Sequence, residues 1–180
     1  NLIHVLKYIY DSQSRLTTMI SFDPVFDQMS SKNYYDENGN LYKTETFTDN
    51  MLSQYSIYSY KNTLIESITE FRADDNQKLS QETYYYNNNL LEYTESFDYM
   101  NNQKSVTKYD VKKRAYYKAD YDGKVLFQET KWIFNEKTNK LEKMIITDGK
   151  GKISAENRYN EEELLVYSKF YVGNSIITEK

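Results

Sequence analysis

An aromatic residue, a leucine six positions later and a second aromatic six beyond that recur about every twenty-five residues along this chain. Tyr10–Leu16–Phe22, Tyr35–Leu41–Phe47, Tyr85–Leu91–Phe97 and Tyr159–Leu165–Tyr171 keep the spacing unadjusted. Tyr109–Ala115–Tyr121 keeps it with alanine in the centre, and Tyr58–Leu64–Phe71 and Phe134–Leu141–Thr147 keep it with a one-residue slip. Seven copies in 180 residues make this a repeat array, in which each unit is one supersecondary element unable to bury its apolar face alone. The copies, centred near Leu16, Leu41, Leu64, Leu91, Ala115, Leu141 and Leu165, read as a single β-repeat domain over residues 1–180 with no linker.

Turn chemistry separates the aromatic from the leucine. Asp36-Glu37-Asn38-Gly39-Asn40 contains Asn-Gly, the strongest short hairpin signal, which predicts a type I′ turn with both central residues at positive φ. The equivalent slots are Asp11–Arg15, Asn87-Asn88-Asn89 and Asn135–Asn139, where asparagine replaces the scarce glycine. A second turn follows the second aromatic, at Asp74–Gln77, Asn101–Lys104, Asp122-Gly123-Lys124 and Asp148–Gly151. Each unit is therefore strand, turn, strand, turn, giving about fourteen strands. A helical reading fails because turn signals interrupt every run before three helical turns accumulate. Leu2–Lys7 reads as the last strand of an earlier copy and Ser175–Glu179 as a closing strand. The predicted fold is an all-β antiparallel meander of about seven hairpins, either an open twisted sheet or a rolled, barrel-like one.

Strand periodicity assigns the faces. Two, four and six residues after the central leucine stand Thr18-Ile20-Phe22, Lys43-Glu45-Phe47, Tyr93-Glu95-Phe97 and Tyr117-Ala119-Tyr121, apolar at the ends and mixed between. Three and five residues after it, eight of fourteen positions are Ser or Thr, among them Thr44, Thr46, Thr94, Ser96 and Ser168. That second face is expected to be solvated. Composition agrees with a thin core. Leu, Ile, Val and Phe make up only 40 residues, and twenty tyrosines add contact area whose hydroxyls need water or a partner.

The net charge of −4 arises from 23 basic and 27 acidic residues in close alternation. It lacks the basic footprint that nucleic acid requires and offers no polybasic membrane patch. There is no cysteine, hence no disulfide, thiolate metal site or thiol nucleophile. No apolar stretch approaches the roughly 18 residues of a spanning helix, so membrane attachment would run only through a lipid anchor absent from this chain. The first residue, Asn1, reads as a processed N-terminus.

The segment Tyr8-Ile9-Tyr10-Asp11-Ser12-Gln13-Ser14-Arg15-Leu16 resembles the YD repeat of Rhs-type and teneurin-like surface proteins, tyrosine-x-tyrosine-aspartate-x-x-glycine-arginine-leucine. Tyr34-Tyr35-Asp36-Glu37-Asn38-Gly39-Asn40-Leu41 matches with asparagine for arginine, and the other five copies keep an aromatic and usually the leucine. The chain is also similar to short envelope proteins and lipoproteins of Gram-negative gut bacteria that carry degenerate repeats of this kind. The resemblance implies a β-hairpin array in the cell envelope or secreted material, a scaffold or interaction module and not an enzyme, with no cofactor.

Residues able to carry chemistry are few. His4 is the only histidine and lies in the apolar run Leu2–Leu6, which reads as structural. Asp36-x-Asn38-Gly39-Asn40 imitates a calcium loop, but Phe47 stands where the bidentate glutamate belongs. Asp74-Asp75 and Glu161-Glu162-Glu163 are adjacent strand or turn residues and do not converge as glycosidase carboxylates must. Trp132 reads as a core residue. Tyr93, Tyr117 and Tyr167 share one slot, two residues after the repeat centre, and so one face of the meander. Their rings are the candidate ligand-binding residues for a glycan or extended peptide, with an envelope protein as the other candidate partner.

Overall fold

In the computed structural model the structure describes residues 5–23, 28–172 and 175–179, so His4 lies outside the described residues. Among the described residues there are fifteen strands and no helix: β1 (Val5–Tyr10), β2 (Leu16–Asp23), β3 (Gln28–Tyr35), β4 (Leu41–Thr48), β5 (Met51–Lys61), β6 (Leu64–Arg72), β7 (Lys78–Asn87), β8 (Leu90–Asp98), β9 (Gln103–Tyr109), β10 (Ala115–Asp122), β11 (Val125–Phe134), β12 (Leu141–Asp148), β13 (Ile153–Tyr159), β14 (Leu165–Val172) and β15 (Ser175–Glu179). The strand order is the chain order from β1 to β15. The first and last strands do not pair, so the meander is open and not a barrel. The closing strand expected at Ser175–Glu179 is β15.

Two compact units divide the chain, Asn1–Thr83 and Tyr84–Lys180, with the boundary inside β7. Within each unit, among the described residues, the strands touch only their sequence neighbours, so each is a single-layer sheet with no second layer on either face. Burial is correspondingly shallow. Among the described residues Ala119 and Ala155 are the only buried apolar side chains, at 1% and 5% exposure.

The six-residue spacing from aromatic to leucine is the hairpin closure itself. Tyr10 pairs with Leu16, Tyr35 with Leu41, Tyr109 with Ala115 and Tyr159 with Leu165, five loop residues lying between each pair. Phe134 pairs with Leu141 across a six-residue loop, which accounts for the slip in that copy. The Tyr58 copy differs from the sequence pattern. Asn62-Thr63 is a two-residue turn, so Leu64 pairs with Lys61 and Tyr58 with Ile68.

The five-residue loops share one construction. In those beginning at Asp11, Asp36, Asp110, Asp148 and Asn160, the first residue's N–H donates to the carbonyl of the fifth, and the fourth residue's N–H returns to the carbonyl of the first. The first residue's side-chain oxygen accepts from the third and fifth N–H groups. The fourth residue is always left-handed, with φ 61° at Ser14, 81° at Gly39, 63° at Lys113, 80° at Gly151 and 60° at Glu163. In three loops the fifth residue clasps the second carboxylate oxygen: Arg15 to Asp11 at 2.8 Å, Asn40 to Asp36 at 3.0 Å and Arg114 to Asp110 at 2.8 Å. Aspartate, left-handed residue and arginine or asparagine thus form one hydrogen-bonded device.

This corrects the expectation at Asn38-Gly39, where only Gly39 has positive φ and the turn is not type I′. The two-residue turns with both central residues left-handed are Asp49-Asn50, Asn62-Thr63 and Asn88-Asn89. Asp148–Lys152, grouped in sequence with the second turn class, has the geometry of the first. Gln103 and Lys104, expected in a turn, open β9.

The Ser/Thr face departs from the solvated ladder expected of it. Thr94, Thr130 and Ser168, at 3%, 6% and 7% exposure, lie on it and are among the most buried residues described. Small side chains there sit below the tops of larger neighbours, and their hydroxyls are bonded across strands, Thr44 to Asn33 at 2.9 Å and Ser168 to Asn157 at 2.7 Å. Trp132 is half-buried on this face beside Met144, and an enclosed core is absent around it in this single layer.

Candidate binding face

The alternation of strand side chains places the repeat's tyrosines on one face of the second unit. Residues directly opposite on neighbouring strands fall into rows. One row runs Tyr93 on β8, Lys108 on β9, Tyr117 on β10 and Lys131 on β11, each the register partner of the next. Successive strands are about 4.8 Å apart, so Tyr93 and Tyr117 stand roughly 10 Å apart with Lys108 between them.

Neighbouring groups hold each ring. Tyr85, not anticipated from sequence, stacks on Tyr93 with centroids 4.2 Å apart and planes at 11°. Its hydroxyl donates to Glu95 at 3.3 Å, and the Lys104 ammonium donates to the same carboxylate at 2.7 Å. The Tyr117 hydroxyl donates to Glu129, which also accepts from Thr147 at 3.4 Å. The Lys108 ammonium lies 5.4 Å from the Tyr117 ring centre. Burial pushes the Tyr117 hydroxyl pKa well above its ordinary value, and the bond to Glu129 reinforces this by favouring the protonated form. Tyr85 is raised as well, by burial first and then by the charge of Glu95.

Tyr167 lies on the same face but four strands beyond β10, on β14. Register sets it beside Arg158, whose guanidinium is 5.5 Å from its ring centre. Arg158 and Lys143 both pair with Glu156, at 2.9 and 3.0 Å. Hydrogen bonding from Lys143 holds the Glu156 carboxyl below its usual range. The structure therefore brings Tyr93 and Tyr117 together and leaves Tyr167 in a separate cluster.

The same device recurs in the first unit, described by itself. Tyr34 donates to Glu45 at 2.6 Å, Lys43 donates to Glu45 at 2.6 Å, and Lys43 stands over the rings of Tyr34 and Tyr55 at 5.6 and 5.2 Å. Burial would raise Glu45, but the bonds from Lys43 and Tyr34 outweigh it and hold the carboxyl below its ordinary value. A tyrosine hydroxyl and an ammonium sharing one carboxylate is thus a repeated surface motif of both units.

Asp36, Asp74 and Asp75 are engaged in their own turns, whereas Glu163 reaches the start of β12. Asp36 accepts from Asn38, Asn40 and the Asn40 amide. Asp74 and Asp75 pair with Arg72 at 3.0 and 2.6 Å, and Glu163 accepts the N–H of Leu141 at 2.9 Å. Among the described residues no three His, Cys, Asp or Glu side chains are grouped to hold a metal ion.

Sequence reasoning named the rings of the row and missed its cations. Lys108 and Lys131 carry no motif of their own. The signal that finds them is register, since counting back from the closing pairs sets them opposite Tyr117.

No family model and no curated protein matches this chain. Its fold is similar to that of TcdB2-TccC3 without its hypervariable C-terminal region, with a TM-score of 0.56 at 10% identity, over 97% of this chain and 12% of that one. A Photorhabdus luminescens Tc holotoxin pore structure aligns over 98% of this chain and 11% of that one, with a TM-score of 0.45 at 10% identity. The chain thus spans about an eighth of the length of these structures. The likeness to TcdB2-TccC3, a protein that contains Rhs/YD repeats, is one of fold: a β-repeat module.

Proposed function

We propose that this β-repeat module acts as a non-catalytic scaffold or interaction surface in the cell envelope or in secreted material. The observation that carries the reading is the repeated tyrosine–carboxylate–lysine mosaic on one face of each single-layer unit. It fixes rings and charges in a regular pattern on an open surface. Such a face suits contact with an extended partner, since large rigid rings give area at little entropic cost. The fold likeness to a YD-repeat protein supports the extracytoplasmic setting by analogy.

A second reading is favoured by a specific observation. Tyr93 and Tyr117 flank a single strand on one face, the spacing at which two rings can contact one glycan or peptide. A thermal-shift screen of the chain against host and bacterial glycans, peptidoglycan fragments and envelope peptides separates the readings. A ligand at a hundred times its dissociation constant adds about 2.7 kcal/mol of stability. A dose-dependent rise abolished in Tyr93→Ala and Tyr117→Ala variants that keep their circular dichroism supports the platform. A flat screen, with capture of an envelope protein instead, supports the scaffold. A catalytic turnover that survives both variants would overturn both readings.

A further inference from the structure

The row Tyr93–Lys108–Tyr117–Lys131 alternates ring and cation over four successive strands, so like groups recur roughly every 10 Å. Lys108 and Lys131 are exposed, and among the described residues neither forms an ion pair with a carboxylate. Their neighbours differ. Lys104 is committed to Glu95, and Lys143 and Arg158 to Glu156. With Lys169, the strands of the second unit place six cations on this face against Glu95, Glu129 and Glu156. A face with three surplus positive charges stands on a chain whose net charge is −4.

We propose that this row binds an acidic polysaccharide, sugar rings lying along Tyr93 and Tyr117 and anionic groups seated on Lys108 and Lys131. The inference rests on the tyrosine-platform reading and names its ligand class. Sugar rings present C–H faces that stack on aromatic rings, and a polymer of acidic sugars repeats its charge along its length. That is the pattern the row presents. A neutral glycan would cover two exposed ammonium groups and supply no counter-charge. An extended peptide docks through the free hydrogen bonds of a sheet edge, and this row lies on the face of strands paired on both sides. Nucleic acid requires a broader basic footprint than two unpaired lysines.

The test is affinity electrophoresis of the whole chain through gels containing polygalacturonate, dextran sulfate, neutral dextran or poly-glutamate. Retardation by either acidic polysaccharide, and by neither of the other polymers, is expected. The stronger of the two acidic polymers distinguishes carboxylate from sulfate. The double variant Lys108→Gln/Lys131→Gln, both positions exposed and unpaired, should keep its far-ultraviolet circular dichroism and bind about tenfold more weakly. Tyr93→Leu should weaken binding while retaining an apolar side chain against Tyr85. Equal retardation by neutral dextran, unchanged in the lysine variant, would overturn the acidic ligand and leave the platform standing. Equal retardation by poly-glutamate, indifferent to Tyr93→Leu, would overturn it as charge attraction alone. No retardation by any polymer, from a folded chain, would also overturn it, and only a flat thermal-shift screen besides would remove the platform.

Discussion

Gly149 and Gly151 occupy the same five-residue loop for different physical reasons, and alanine at each should separate them. Gly151 has φ +80°, and a Cβ there would meet nothing within 4 Å. Its substitution is therefore purely conformational. The left-handed region costs a non-glycine residue about 1–2 kcal/mol, and the stiffer unfolded chain returns about 0.4–1 kcal/mol. A net loss of about 0.5–1 kcal/mol follows. At Gly149 space decides, because a Cβ would stand 1.9 Å from the Leu126 carbonyl oxygen and 2.8 Å from its carbon, both backbone. No rotamer relieves that overlap, so the loop must leave its seat on β11. Shifting residue 149 out of the way distorts the loop itself, whose four internal hydrogen bonds run from the N–H groups of Asp148, Lys150, Gly151 and Lys152 to Lys152 and Asp148 at 2.8 to 3.0 Å. At about 1 kcal/mol each, less what water restores, the loss is about 3 kcal/mol. Urea unfolding with a slope of about 2 kcal/mol/M should show midpoints lower by about 0.4 M for Gly151→Ala and about 1.5 M for Gly149→Ala. Equal shifts, or a larger one at Gly151, would refute the division between space and backbone angle.

Lys113 is the converse case, a lysine held at φ 63° in the slot glycine fills at Gly39 and Gly151, with no side-chain role in the loop's own bonds. Lys113→Gly should raise stability by about 0.5–1 kcal/mol, read as a higher urea midpoint. At low pH the loop carboxylates set the response. Hydrogen bonds from Arg15, Asn40 and Asn101 hold Asp11, Asp36 and Asp98 below their ordinary values, and Arg72 pushes Asp75 down to about 2. Groups with depressed folded values stabilise above the unfolded pKa of about 4 and lose that contribution as pH falls through the folded value. The urea midpoint should be level from pH 8 to about 5 and decline between about 4 and 2. A decline centred near pH 6 would contradict the assignment. At high pH the sign reverses. Tyr60, Tyr85, Tyr86 and Tyr117 are all raised, by burial foremost, so their contribution is intact below about 10 and lost as pH climbs above it. Tyrosinate absorbance should resolve a late-ionising class, and Glu129→Gln should bring Tyr117 only part of the way back toward the rest, since burial remains, while Tyr60, Tyr85 and Tyr86 stay where they are.

Much of the fold was legible because the repeat encodes its own hairpin closure. Tyr10–Leu16 and Tyr35–Leu41 are cross-strand partners, and six residues is the distance the five-residue loop imposes. Glycine and asparagine are the turn signals read in sequence, and they do not identify every such loop. The loop's essential parts are a side-chain oxygen at the first position and a left-handed fourth residue, a place that Lys113 and Glu163 take despite their Cβ. Hence Asp110–Arg114 and Asn160–Leu164 escaped notice, though their hydrogen bonds match those of Asp36–Asn40. Period assigns the faces except in the Leu64 copy, where the two-residue turn sets Ser67 and Thr69 on the face of Lys43 instead of the Ser/Thr face, and it does not give the solvation of the Ser/Thr face. Burial in a single layer depends on the height of neighbours, which sequence spacing does not contain. The same limit concealed Lys108. Its importance comes from standing between Tyr93 and Tyr117, a relation visible only once register is known.

A single-layer sheet also makes a claim about how the array comes apart. Where each strand touches only its neighbours, stability is close to a sum of local terms, and opening should proceed from the free edge inward. Among the described strands of the first unit β1 is paired on one side, with β2, and its Leu6, Tyr8 and Tyr10 are 47%, 47% and 57% exposed. Strand β3, flanked on both sides, is half-buried over nearly its whole length. In the second unit the most protected side chain is Ala119 on β10, paired with Val106 and Glu129 on either side. Native-state hydrogen exchange should therefore be fastest for the amides of β1 and slowest in β9 to β11, with intermediate rates graded by distance from the edge. The graded pattern follows from nearest-neighbour coupling alone. Uniform protection across β1 to β6, released in one step, would mean that the unit folds as one cooperative block, and the additive account of the repeat would fail.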